Sequence, residues 1–129
     1  AAPALAAETG FTEAASGLQF KVLAPGTGAK PQKGQAVRVD YDGWLGGFNS
    51  NNKFDSSRDF PASLFRGPIQ FPAGNRRVIQ AWDEAVLDMQ VGERRLIIVP
   101  PELGYGNRGI GPIPPGSTLY FDMELKSIE

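Results

Sequence analysis

Few side chains in this sequence could make or break covalent bonds. There is no His and no Cys among its 129 residues. That excludes Ser-His-Asp and thiol nucleophiles, Cys/His zinc sites and disulfides. Acid–base work would fall to carboxylates, and Asp55, Asp59, Asp83 and Glu84 are the candidates. A glycosidase-like pair needs two carboxyls facing each other across a cleft with separated pKa values, and no spacing here demands that. Asp83 and Glu84 are expected on the wet side of a helix. Asp55, within FDSSRD, is expected to make an Asx-type turn with Ser56 and Ser57. GYGNRG, residues 104–109, matches G-x-G-x-x-G. A dinucleotide site also needs a strand before that motif and a helix after it. Pro100-Pro101 lies upstream and IGPIPPG downstream, so no helix can start there. The glycines are expected instead to shape a surface loop presenting Tyr105 and Ile113. No cofactor and no metal site are expected.

The elements that would position these groups are mostly strands. The one strong helical pattern is GNRRVIQAWDEAVLDMQVG, residues 74–92, with Asn75 as N-cap and Gly92 as stop. Val78, Trp82, Val86 and Met89 recur at spacings of four, four and three and share one face, with Ile79 beside them. Arg76, Gln80, Asp83 and Glu84 are left to water, and Trp82 is expected in the core. Period-2 alternation predicts strands around Leu18, Phe20 and Val22, around Val37, Val39 and Tyr41, and around Leu119, Phe121, Met123 and Leu125. Residues 94–99 form a β-branched run, and Ile69 to Phe71 are expected to resume a strand before the helix. Residues 48–53 read as a polar loop and 54–68 as irregular, while Trp44 at a strand end suits either core or surface. Strands not separated by helices argue for an antiparallel sheet with one wet face and one face on the helix, an α+β fold. The Ala-rich residues 1–16 are expected as a flexible tail, the mature end after a targeting segment or simply a chain end, ahead of one domain at 17–129. With a net charge of −1 and no basic block, nucleic acid is not an expected partner. Arg76-Arg77 and Arg94-Arg95 read as solvated pairs. No apolar run approaches membrane-spanning length.

Six pieces in series, SGLQFKVLAPGTG, VRVDYDGWL, KFDSSRD, VIQAWDEAV, MQVGERRLIIVPPELGYG and IPPGSTLYFDMEL, resemble an FK506-binding-protein (FKBP) type peptidyl-prolyl isomerase domain. The resemblance runs from about Gly17 to Glu129. It implies a bent antiparallel sheet of about five strands wrapped around one short helix, binding X–Pro peptides in an apolar cleft between them. By that resemblance Tyr41 and Phe54 wall the pocket, Val78 and Ile79 open its helix side, and the Trp82 indole is its floor. Tyr105 and Ile113 come from the Gly/Pro loop, Phe121 from the last strand, and Asp55 is the polar group at the rim. The Ile79 N–H and the Tyr105 hydroxyl would hydrogen-bond the substrate. Ile69 stands where the family often has an aromatic wall, and Phe60 where some members place a basic partner for Asp55. Residues 45–53 and 60–67 look longer than in the smallest members, and Ile110-Gly111-Pro112 is a compact loop. The implied partners are X–Pro peptides or proteins, with FK506 or rapamycin as possible ligands, and a monomer is expected. The alternative is an FKBP-fold binding or chaperone module with weak or no isomerase activity. The Ala-rich start and the VGERRLIIVPPELGYG wording are similar to FKBPs of the chloroplast thylakoid lumen, with bacterial periplasm or cytoplasm as alternatives.

Overall fold

The computed structural model describes residues 10–57 and 68–129. The expectations for Asp59, Phe60 and residues 60–67 lie outside them. Among the described residues seven strands form one antiparallel sheet: β1 (Thr12–Glu13), β2 (Gln19–Ala24), β3 (Ala36–Leu45), β4 (Asn52–Ser56), β5 (Ile69–Pro72), β6 (Arg94–Val99) and β7 (Leu119–Ile128). Their order is β1-β2-β6-β7-β3-β4, with β5 also on β3. A helix, α1 (Gln80–Asp88), lies between β5 and β6 in sequence.

The sheet exceeds the expected five strands by β1 and β4. Neither has an alternating apolar pattern, and pairing with a neighbouring strand holds each, β1 on β2 and β4 on β3. Thr12 pairs with Phe20, and Glu13 with Gln19. Residues 10–16, expected within a free tail, thus fold back onto the sheet, and the Ser16 hydroxyl donates to Glu84 Oε2 at 2.7 Å. The long strand β3 carries the architecture. One edge pairs with β7 along nearly its whole length. The other edge is shared, residues 36–39 with β5 and residues 42–45 with β4. At the join the pairing passes through a side chain. The Tyr41 N–H donates to Ser57 Oγ at 2.8 Å, and the Ser57 N–H donates to the Tyr41 carbonyl at 2.9 Å.

The helix begins four residues later than its periodicity predicts, with its N-cap at 79 rather than 75. Ile79 is the N-cap in an extended conformation (φ −58°, ψ 150°) and no side chain caps the helix. Residues 74–79 instead wrap around Asp83, whose two carboxylate oxygens accept from the Gly74 N–H (2.8 Å) and the Arg76 N–H (3.0 Å). Asp83 is therefore buried rather than wet, and Asn75 caps nothing. A carboxylate in the first helical turn also suits the positive end of the helix dipole.

The core lies between sheet and helix. Val37, Val39, Tyr41, Phe71, Trp82, Val86, Met89, Ile97, Leu119, Phe121, Met123 and Leu125 are all buried there. The opposite face is not simply wet. Trp44, Ile98 and Tyr120 form a second buried cluster, covered by Phe11 and Phe48. Arg94 and Arg95 are not a free pair either. Arg94 grips Asp122 with two bonds of 3.0 and 2.8 Å. Arg95 is buried against Glu93 (2.7 Å from Nε) and Asp88, under the Phe20 ring.

Candidate functional site

Between the start of α1 and the concave face of the sheet lies a cleft of about 180 Å³. It is lined by Tyr41, Phe54, Asp55, Ile69, Arg77, Val78, Ile79, Trp82, Tyr105 and Phe121. Nine of the ten expected site residues meet in this one hollow. Ile113 does not line it. Its side chain is buried in the core, and its backbone bridges Ile110, closing the turn after Tyr105.

Trp82 forms the base of the cleft. Its ring meets Tyr41 edge-on at 4.7 Å between centroids and Phe121 at 5.3 Å, and Phe71 supports it at 5.9 Å. Such edge-to-face contacts fix ring orientation as well as burying area. Phe54 in turn meets Phe121 at 5.6 Å, nearly perpendicular. These rings can meet because residue 43, opposite Phe121 in the β3–β7 ladder, is glycine. A Cβ there would lie 2.8 Å from Phe121 Cε1 and 2.8 Å from Phe54 Cζ, inside contact distance. The indole Nε1–H is buried and meets no acceptor among the described residues. An unpaired buried donor costs about 1–3 kcal/mol.

Polar groups sit at the rim. The Tyr41 hydroxyl donates to Asp55 Oδ2 at 2.5 Å, and the Ser56 N–H donates to Asp55 Oδ1 at 2.9 Å. Asp55 thus braces a wall of the cleft as well as turning β4. A backbone N–H and a hydroxyl are among the donors that remain for a ligand. The Ile79 N–H donates to nothing among the described residues, while its carbonyl accepts from Trp82 and Asp83. The late start of the helix explains this, since an N-cap in extended conformation leaves its own N–H outside the helical ladder. The Tyr105 hydroxyl is half-buried and takes no partner among the described residues. Burial first, and the nearby Asp55 charge second, push its pKa above its ordinary value, so it stays a protonated donor.

Sequence reasoning missed Ser57, which clamps the Tyr41 backbone, and Asp83, which holds the loop carrying Arg77 and Val78. It also missed Arg77 at the rim. Its neighbour Arg76 faces a different groove, with Gln80, Glu84 and Leu87, and adjacency in sequence does not separate the two. GYGNRG is followed by turns and the Ile110–Ile113 bridge, not by a helix. Among the described residues no helix is long and apolar enough to cross a membrane.

The cleft is thus an aromatic hollow with unpaired donors at its rim. The family profile described as FKBP-type peptidyl-prolyl cis-trans isomerase matches residues 27–126. FK506-binding protein 2 of Gibberella zeae is 48% identical over 101 residues, 78% of this chain and 48% of that relative, so the chain spans about half its length. Peptidyl-prolyl cis-trans isomerase Fkbp12 of Drosophila melanogaster is 44% identical over 115 residues, 88% of this chain and 99% of that protein. The crystal structure of AtFKBP13 superposes with a TM-score of 0.81 at 34% identity, covering 92% of this chain and 98% of that one. The chain belongs to the FKBP-type peptidyl-prolyl cis-trans isomerases.

Proposed function

We propose that the cleft over Trp82 is where this chain turns X–Pro bonds, assisting protein folding. An X–Pro bond resists rotation by about 20 kcal/mol because of amide resonance. The planar amide is strongly dipolar and is stabilised by water; the twisted transition state has lost resonance and carries less charge at oxygen. Moving the bond over a buried indole therefore costs the planar state more than the twisted one, and that difference lowers the barrier. The proline ring rests on Trp82 between Tyr41 and Phe121. The Ile79 N–H and the Tyr105 hydroxyl hold neighbouring carbonyls, and the two donors lacking partners support those roles. Asp55 keeps the Tyr41 wall upright. The observation that carries this reading is the convergence of nine separately placed residues on one aromatic hollow.

NMR exchange on an X–Pro peptide tests it. The chain should accelerate cis/trans exchange, and Trp82→Ala or Asp55→Ala should lose most of that rate while remaining folded. Full activity in both folded variants would remove the site assignment. The relatives' names support FK506, and by extension rapamycin, as ligands of the same cleft; either should then inhibit the exchange. A monomer is part of the same proposal, testable by light scattering. The thylakoid lumen remains our proposal for the compartment, supported by the likeness of VGERRLIIVPPELGYG to lumenal members; fractionated chloroplasts probed with an antibody test it. The binding-module alternative rests on the long residues 45–53 and 60–67 and the altered rim; within 45–53 Phe48 covers Trp44 and Tyr120, and 60–67 lie outside the described residues.

A further inference from the structure

Two charged side chains line the cleft, and they are not equivalent. The Asp55 carboxylate is engaged by the Tyr41 hydroxyl and the Ser56 N–H. Arg77 is exposed and makes no hydrogen bond or ion pair among the described residues. Its backbone is nonetheless fixed. On one side the Arg76 N–H is bound to Asp83, and on the other Ile79 opens α1. Only the side chain is left to move, at the mouth of the hollow. A guanidinium in that place offers a fork of donors to a carboxylate and repels a cation.

We infer that Arg77 is a specificity-determining residue, selecting X–Pro segments that carry Asp or Glu beside the proline over those that carry Lys or Arg. The inference rests on the isomerase reading above and adds a substrate class to it. Arg76 supplies an internal control, because it has the same charge one residue away but borders the other groove.

The test is NMR exchange on two sets of short peptides, varying the residue before the proline in one and after it in the other, through Glu, Leu and Lys. At low salt kcat/KM should favour Glu over Lys by about three- to fivefold in at least one set, the size of a rim charge pair, and the ratio should shrink as salt is raised. Arg77→Glu should invert the ratio, Arg77→Lys should keep it, and Arg76→Glu should leave it where it was. A Glu/Lys ratio near one in both sets, or one unmoved by Arg77→Glu, overturns the inference while leaving the isomerase intact. An equal response to Arg76→Glu and Arg77→Glu also overturns it, since overall charge would then be the cause. Failure of the isomerase reading looks different, because the Leu peptides themselves would not be accelerated.

Discussion

The same two strands build an open aromatic cluster on one face of the sheet and a closed one on the other. In the β3–β7 ladder Gly43 stands opposite Phe121, and the next pair, Trp44 opposite Tyr120, points the other way. On the second face both partners are large. Phe48 meets Tyr120 at 5.2 Å and Trp44 at 6.2 Å, and Phe11 stacks on Phe48 at 5.9 Å, leaving Trp44 and Tyr120 buried. On the first face the glycine withholds a side chain, and the rings of Phe54 and Phe121 lie where its Cβ would be. The small residue lets those two rings take their places, and both line the cleft. Register decides which face that is, since side chains alternate along a strand.

Breaking the closed face should cost stability without touching turnover. Trp44→Ala is expected to lose about 3–5 kcal/mol in denaturant unfolding, with kcat/KM of the remaining folded protein close to wild type. A large activity loss in folded protein would mean the two faces are coupled. Filling the open face should do the reverse. Gly43→Ala must push Phe121 and Phe54 apart, and overpacking of this kind costs about 1–3 kcal/mol; here the main loss should appear in peptide isomerisation, by about tenfold or more. An alanine variant with unchanged activity would show that the ring positions do not matter. The smallest effect is expected at the rim. Tyr105→Phe removes one hydrogen bond, worth about 0.5–1.5 kcal/mol, and should lower kcat/KM by about three- to tenfold with little change in melting temperature.

Tyr105 also sets a pH expectation. Its folded pKa lies above the ordinary 10.0, so the unfolded chain loses this proton first as pH rises. Stability from this group is complete below the unfolded pKa and is lost as pH climbs through the folded one. With no His in the chain, the rate should stay flat from about pH 7 to pH 9 and fall only when Tyr105 ionises. A step near neutral pH would point to a different titrating group.

What could be read from the sequence was what repeats locally. Val37, Val39 and Tyr41 alternate, as do Leu119, Phe121, Met123 and Leu125, and all are buried as expected. The residues of the cleft were legible through six family-like pieces in series rather than through any one of them. Trp82 shows why both readings were needed, because an apolar-face residue can be buried and still form the base of a hollow. The misplaced features depend on partners that no local pattern shows. The helix start moved because Asp83 holds the backbone of Gly74 and Arg76. β1 and β4 exist because β2 and β3 offer free edges. Arg95 is buried because Glu93 and Asp88 neutralise it.

The central claim is that a proline bond turns over the Trp82 indole. The most direct test follows the Trp82 indole N–H resonance while an X–Pro peptide is titrated and its cis/trans exchange is recorded in the same tube. The account predicts that this resonance shifts with peptide in step with accelerated exchange, and that folded Trp82→Ala loses most of the acceleration. Rapid exchange with an unmoved indole signal, or undiminished exchange in the folded variant, would contradict it.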